Sequence, residues 1–264
     1  MRHNNIPIYS KKDFENMRQA GSLAAYVLDT LYEKICPGIS TLEINDICHE
    51  IIIKNNATPA PLNYKGFPKS VCTSVNHVVC HGIPSEKKIL EEGDIINVDV
   101  TVILNGWYGD SSRMFVAGKT NKKNYNFLKL TYESLLAGIN EAVPGNHIGD
   151  IGNKIQKLAE GNGYSVVRDF CGHGIGKEFH TPPSVLHFGE PGEGPRLEPG
   201  MFLTIEPMIN IGGWQTKILN DGWTAVTKDK SLSAQFEHTI GITENGNEIF
   251  TLSKNDTAFP IKDI

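Results

Sequence analysis

The sequence predicts an α+β fold built from two related halves, and three observations lead there. Each half of the chain contains a stretch with the spacing of a helical hairpin. Each hairpin is followed by short alternating strands. Shifting the first half by 107 positions lays its helix breaks and one acidic strand on those of the second. A period of that length is too long for a solenoid and fits two half-domains packed about a pseudo-twofold axis.

The elements follow in chain order. Ser10 precedes KKDFENMRQAGSLAAYVLDTLYEKI, where Phe14, Met17, Ala24, Leu28, Leu31 and Ile35 recur at helical spacing. The Cys-Pro-Gly at 36–38 ends this helix. The run STLE at 40–43 is a capping box, in which a serine hydroxyl and a glutamate satisfy each other's orphan backbone donors; it opens a second helix through Ile53. IINVDVTVIL at 95–104 alternates as a strand, Asn105-Gly106 is a hairpin turn, and GWYGDSSRMFVAG returns. In the second half NYNFLKLTYESLLAGINEAV is helical and stops at Pro144-Gly145, and HIGDIGNKIQKLAEGNG is a further helix with a glycine-rich end. Under the shift Pro37 falls on Pro144 and Ile44 on Ile151, while LEEGDIINVDV falls on LEPGMFLTIEP. Leu90 thus meets Leu197, Gly93 meets Gly200 and Asp99 meets Glu206. One domain over 1–264 is expected, with halves at about 10–118 and 119–252.

Asp99 breaks the pattern of its strand. Ile96, Val98, Val100 and Val102 point to one face; Ile95, Asn97, Asp99 and Thr101 point to the other. A buried carboxylate without a partner takes up a proton or finds a cation. Taken alone, this strand favours an exposed sheet face with a solvated Asp99 over the lining of a site. The duplication changes the balance, because a twofold axis could bring Asp99 and Glu206 to one point. Two carboxylates there would repel, and a divalent cation is the simplest remedy.

Composition narrows the classes. The chain has 264 residues, 39% of them hydrophobic, and a net charge of −5, with no basic footprint for nucleic acid. The first seventeen residues lack an apolar signal core, and no apolar run is long enough to span a membrane. Five cysteines without a CxxC pair suit reduced thiols in a cytoplasmic protein. The glycine-rich FGEPGEGPRLEPG lacks the GK[ST] of a phosphate loop and reads as a surface connection.

Three more candidates stand in comparable settings: Asp110 in the returning strand of the hairpin, Glu237 in the alternating run SAQFEHTIGIT, and His173 between glycines in DFCGHGIG. With Asp99 and Glu206 they make four carboxylates and one imidazole. Four negative charges match two divalent ions, and bridging carboxylates are how hydrolytic two-metal sites hold such pairs. The oxygen-rich set favours Mn or Fe(II), with Co and Zn also admitted, and leaves the cysteines out.

NVDVTV, GDSSRMF, GHGIG, TIEPM and EHTIG, in this order and spacing, resemble the type I methionine aminopeptidases, from about residue 9 to 252. The resemblance implies the pita-bread fold: an antiparallel pseudo-symmetric sheet with helices outside and a dinuclear metal centre inside. It implies Asp99, Asp110, His173, Glu206 and Glu237 as ligands, with Asp110 and Glu237 bridging. His81 (VVCHGIPSE) would contact the scissile amide nitrogen, His180 (KEFHTPP) would donate to the carbonyl oxygen, and Glu206 would act as general base toward a metal-activated water. The methionine pocket would be lined by Tyr64, Phe67, Cys72, Phe179 and Trp223, with His81 and His180 at its edge; aromatic faces suit a thioether. Pro61 and Phe67 depart from the cysteine and tyrosine common there. A monovalent cation held by backbone near Asn76, Val78 and AQFEHT is a further expectation.

The implied activity is removal of the initiator methionine from nascent chains whose second residue is small, by a monomeric cytoplasmic enzyme, with ribosome association suited to the substrate. Two rivals stand beside it: a proline-directed peptidase of the same fold, and a non-catalytic binding module that kept it. Taken alone, the other histidines (3, 49, 77, 147, 187 and 238) read as structural.

Overall fold

A computed structural model describes residues 6–254 and Ile261. Four helices, α1 (Lys11–Thr30), α2 (Thr41–Lys54), α3 (Lys122–Glu141) and α4 (Ile148–Gly161), pack on antiparallel sheets. α1 and α3 each span 20 residues, and α2 and α4 each span 14. The expected capping box opens α2: Ser40 N–H donates to Glu43 Oε2 at 2.9 Å and Glu43 N–H donates to Ser40 Oγ at 3.2 Å. At α4 the same place is taken by His147, whose N–H donates to Asp150 Oδ2 at 2.7 Å. α1 ends earlier than its apolar spacing suggests, because its last turn tightens to a 3-10 turn at Leu31–Glu33 before the Cys-Pro-Gly break.

The two halves repeat each other in backbone detail. Gly38 and Gly145 lie at φ +95° and +98°, and Gly93 and Gly200 at +86° and +95°, conformations that cost a side-chain-bearing residue energy. The isolated bridges Ser40–Ile89 and His147–Arg196 are the same bridge 107 positions apart.

Each half has its own core. In the first, α1 and α2 cover Ile96, Val98, Val100 and Val102, the apolar face anticipated from alternation. Each of these side chains is fully buried, worth about 1.5–3 kcal/mol apiece. In the second, α3 and α4 cover Leu203, Ile205, Ile240 and Ile242, and Ile261 joins this cluster. Of the tail beyond Leu252, Ile261 is therefore buried, and 255–260 and 262–264 lie outside the described residues. A buried ion pair, Arg113 Nη1 to Asp29 Oδ1 at 2.8 Å, ties the end of α1 to the first-half hairpin.

That hairpin is continuous. Ile95–Leu104 pairs with Trp107–Val116 along its whole length, joined by Asn105 (φ +53°) and Gly106 (φ +79°), the signature of a type I′ turn. The register sets Thr101 opposite Asp110 and Asp99 opposite Ser112. The second half differs from the expectation of unbroken strands through Glu206 and Glu237. Its strand is split into Phe202–Ile205 and Met208–Asn210, which belong to different sheets. Glu206 sits in the break, followed by Pro207, which has no N–H for a ladder. Glu237 sits in a second break, between Ser233–Gln235 and His238–Thr243, where the chain again changes sheet.

Candidate metal centre

The polar face of Ile95–Leu104 is buried rather than exposed, and it lines a cavity. Asn97 and Thr101 are 3% and 1% exposed, and Asp99, Thr101 and Asp110 face a space of about 820 Å³ shared with His173, Glu206 and Glu237. All five acidic and imidazole candidates therefore open onto one cavity. Ligand atoms of Asp110, His173 and Glu237 lie within 4.8 Å of one another. The glycines beside His173 serve close packing: a Cβ on Gly172 would strike the Thr204 carbonyl, and one on Gly174 the Pro182 carbonyl.

The histidine is oriented as a ligand. Its Nδ1 is 3.0 Å from the Gly174 carbonyl, which can only accept, so Nδ1 carries the proton and Nε2 is a bare lone pair. That lone pair faces Asp110 Oδ2 at 3.6 Å and Glu206 Oε1 at 3.7 Å, too far for hydrogen bonds. Burial holds His173 neutral, with its pKa pulled down to about 4. The carboxyls move the opposite way. Burial lifts Asp99 to about 7, and burial followed by mutual repulsion lifts Asp110, Glu206 and Glu237 well above the usual range. Among the described residues lining the cavity, Lys65 is the one lysine or arginine. A set of oxygen donors and one imidazole lone pair, short of positive charge, fits a divalent cation.

Several supports were not among the residues singled out from the sequence. Thr101 Oγ1 donates to Asp110 Oδ1 at 2.7 Å. Thr204 Oγ1 donates to Glu206 Oε1 at 2.9 Å, and Gln235 Nε2 donates to Glu206 Oε2 at 3.1 Å. A signal for them existed: Thr101 follows Asp99 by two residues, Thr204 precedes Glu206 by two, and Gln235 precedes Glu237 by two. His187, read as structural, accepts the Glu206 backbone N–H on Nε2 at 3.1 Å, and no pattern in the sequence announced it. His238 turns away, with Nδ1 2.8 Å from Thr251 Oγ1.

Tyr64, Phe67, Cys72, His81, Phe179, His180 and Trp223 all line the same cavity, joined by Cys80, Phe170, Cys171 and Met208, which the sequence did not single out. Phe67 meets Trp223 edge-on at 5.2 Å and Tyr64 tilts against Phe179 at 4.9 Å, leaving an apolar, sulfur-rich slot beside the carboxylates. His81 adopts φ +56° between Phe170 and Trp223, with ring centroids at 5.6 and 6.2 Å. Burial lowers its pKa. The His180 ring lies 4.2 Å from the His173 ring, tilted by 47°; it is open to the cavity mouth, yet burial of the rest of the ring, then His173, Lys65 and His81, keep it neutral.

Comparison with known proteins agrees with this geometry. The profile of metallopeptidase family M24 matches residues 15–244. The methionine aminopeptidase of Rickettsia prowazekii is 55% identical over 97% of this chain and 98% of its own length, and that of Escherichia coli K12 is 49% identical over 96% of each. The crystal structure of the Rickettsia prowazekii enzyme superposes with TM-score 0.92, covering 94% of this chain and all of that one. The methionine aminopeptidase from Thermotoga maritima superposes at 0.91, with 40% identity, covering 93% of this chain and 99% of its own. A prolidase from Pyrococcus furiosus, 23% identical, superposes at 0.74 over 94% of this chain and 66% of its own, a likeness of fold alone, the pita-bread fold. The chain belongs to metallopeptidase family M24 and, within it, to the methionine aminopeptidases.

Proposed function

We propose that this protein removes the N-terminal methionine from newly made polypeptides when the next residue is small. The observation that carries the proposal is the meeting, in one cavity, of two buried and two half-buried carboxyls and a neutral histidine with an aromatic, thiol-lined slot suited to a thioether. Asp99, Asp110, His173, Glu206 and Glu237 would hold two divalent ions, Mn, Fe(II) or Co by the chemistry of the donors, with Zn admitted, and Asp110 and Glu237 bridging. When bound, such ions supply Lewis acidity and an ionised water at neutral pH.

The chain's own groups do the rest. Glu206, gripped on both carboxylate oxygens by Thr204 and Gln235, accepts a proton from the attacking water as general base. His180 donates to the substrate carbonyl as negative charge develops there. His81 contacts the scissile amide nitrogen, at the wall of the slot that Phe67 and Trp223 close. Tyr64, Phe67, Cys72, Phe179 and Trp223 bind the methionine side chain and exclude water from it.

We infer a single catalytic unit over 1–264, with halves at about 10–118 and 119–252, acting as a monomer in the cytoplasm on nascent N-termini as they leave the ribosome. A monovalent cation near Asn76 and Val78 suits the buried Ser233 hydroxyl, which has no hydrogen-bond partner, beside an Asn76 carbonyl that accepts the Ser233 N–H at 2.9 Å. The assay is direct: Met-Ala-Ser is hydrolysed and Met-Lys-Ser is not. A chelator abolishes turnover, and Mn, Fe(II) or Co restores it. Equal turnover of both peptides, or turnover indifferent to chelation, would contradict the proposal.

A further inference from the structure

We infer that Tyr64, beyond lining the slot, is a positioning residue that fixes the tautomer of His180. The inference rests on the proposed role of His180 as donor to the substrate carbonyl.

Tyr64 Oη lies 3.0 Å from His180 Nδ1. The two rings are inclined by only 27°, with centroids 5.3 Å apart, so the hydroxyl approaches alongside the imidazole. Both rings are packed from other sides: Tyr64 against Phe179 at 4.9 Å, and His180 against Phe179 at 4.1 Å and His173 at 4.2 Å. A neutral imidazole has one donor nitrogen and one acceptor nitrogen, and the partner of one decides the other. Either group could in principle donate. A phenol O–H is a stronger donor than a neutral imidazole N–H, and an sp2 ring nitrogen is a stronger acceptor than a phenol oxygen. The proton of this bond therefore belongs to Tyr64 Oη, and the ring proton of His180 belongs on Nε2. That is the tautomer able to donate to a carbonyl oxygen. The other would turn a lone pair toward the developing negative charge. His173 shows the same logic with the opposite outcome: the Gly174 carbonyl holds its proton on Nδ1 and bares Nε2. Two neighbouring histidines thus receive opposite tautomers, one from a carbonyl and one from a phenol.

Nitrogen-15 NMR of the imidazoles in the metal-free protein tests the pairing without turnover. The expected result is His180 protonated on Nε2 with Nδ1 an acceptor, and loss of that single tautomer in Tyr64→Phe. Protonation on Nδ1 in the wild type, or an unchanged tautomer in Tyr64→Phe, would overturn the inference. Kinetics test the consequence. Tyr64→Phe keeps the ring and removes only the hydroxyl, so kcat on Met-Ala-Ser should fall about tenfold, the scale of one net hydrogen bond. KM should stay within about twofold, since methionine binding is retained. In a His180→Ala background the same change should have no further effect. An equal loss of kcat in that background would show that the hydroxyl acts elsewhere and overturn the inference. Wild-type turnover in His180→Ala alone would overturn the role of His180 itself, a result separable from the NMR answer.

Discussion

The two halves bring carboxylates to the same cavity by different means. In the first half, Asp99 and Asp110 stand inside an unbroken hairpin, and their backbone groups are fixed by a ladder that runs the full length of both strands. In the second half, Glu206 and Glu237 stand where strands end and the chain passes from one sheet to another. The residue types follow. A short aspartate suffices where the pleat aims the side chain. The longer glutamate crosses from a break, and at Glu206 its extra rotatable bond is pinned by neighbours. Glu206 is pinned most heavily, by Thr204 and Gln235 on its oxygens and His187 on its N–H. At the corresponding positions Asp99 and Glu206, equivalent chemistry rests on backbone regularity in one copy of the duplicated unit and on side-chain hydrogen bonds in the other.

Removing a carboxylate should be severe in either half. Asp110→Asn and Glu237→Gln are each expected to lower kcat/KM by about a thousandfold or more, the scale of losing a principal electrostatic element, with reduced metal content by elemental analysis. A variant that keeps both turnover and metal would remove its half from the centre. Supports should separate the halves. Thr204→Val and Gln235→Leu should weaken metal affinity by about 10–100-fold, as loss of a group orienting a ligand does. Thr101→Val, whose partner Asp110 is also held by the ladder, should cost less than about tenfold by the same measurement. A larger loss at Thr101 than at Thr204 would break the comparison.

The smallest effect is on stability of the metal-free protein. Asp99, raised to about 7 by burial, and the other three carboxyls, raised further, bind more protons folded than unfolded. Such groups favour the folded state below their unfolded pKa, and that contribution is lost as pH rises through the folded pKa. His187 and His238, pushed down to about 3 by burial, act in the opposite sense, losing stability as pH falls below the ordinary histidine value. Above pH 7 those histidines are largely neutral in both states, so the carboxyls set the slope, joined in the same sense by the buried Cys72 and Cys80 thiols, which burial pushes up. Thermal unfolding of the metal-free protein should therefore drop in temperature from pH 7 to 8, and saturating manganese should flatten that slope. A metal-free slope of zero would mean the carboxyls are not crowded as described.

Much of this was legible beforehand because it depends on short-range rules. Period-two alternation put Asp99 on a polar face, Asn105-Gly106 specified the hairpin, and the common 107-residue offset of Pro-Gly breaks and acidic strands exposed the duplication. The break at Glu206 had a signal in Pro207, which cannot donate to a ladder, but the break at Glu237 had none. Alternation continues across Glu237 in sequence, and only tertiary competition between two sheets shows that the ladder stops. His187 was hidden for a similar reason: its partner is a backbone N–H, which leaves no mark in residue identity. The Tyr64 hydroxyl was hidden because an aromatic residue in a slot is already explained by its ring.

Anomalous diffraction from crystals grown with manganese addresses the central claim most directly. The account predicts two manganese positions in the cavity, each contacted by carboxylate oxygens from both the Ile95–Val116 hairpin region and the breaks at Glu206 and Glu237, with His173 Nε2 on one of them. An ion held by residues of one half alone, or no ion in this cavity, would contradict it.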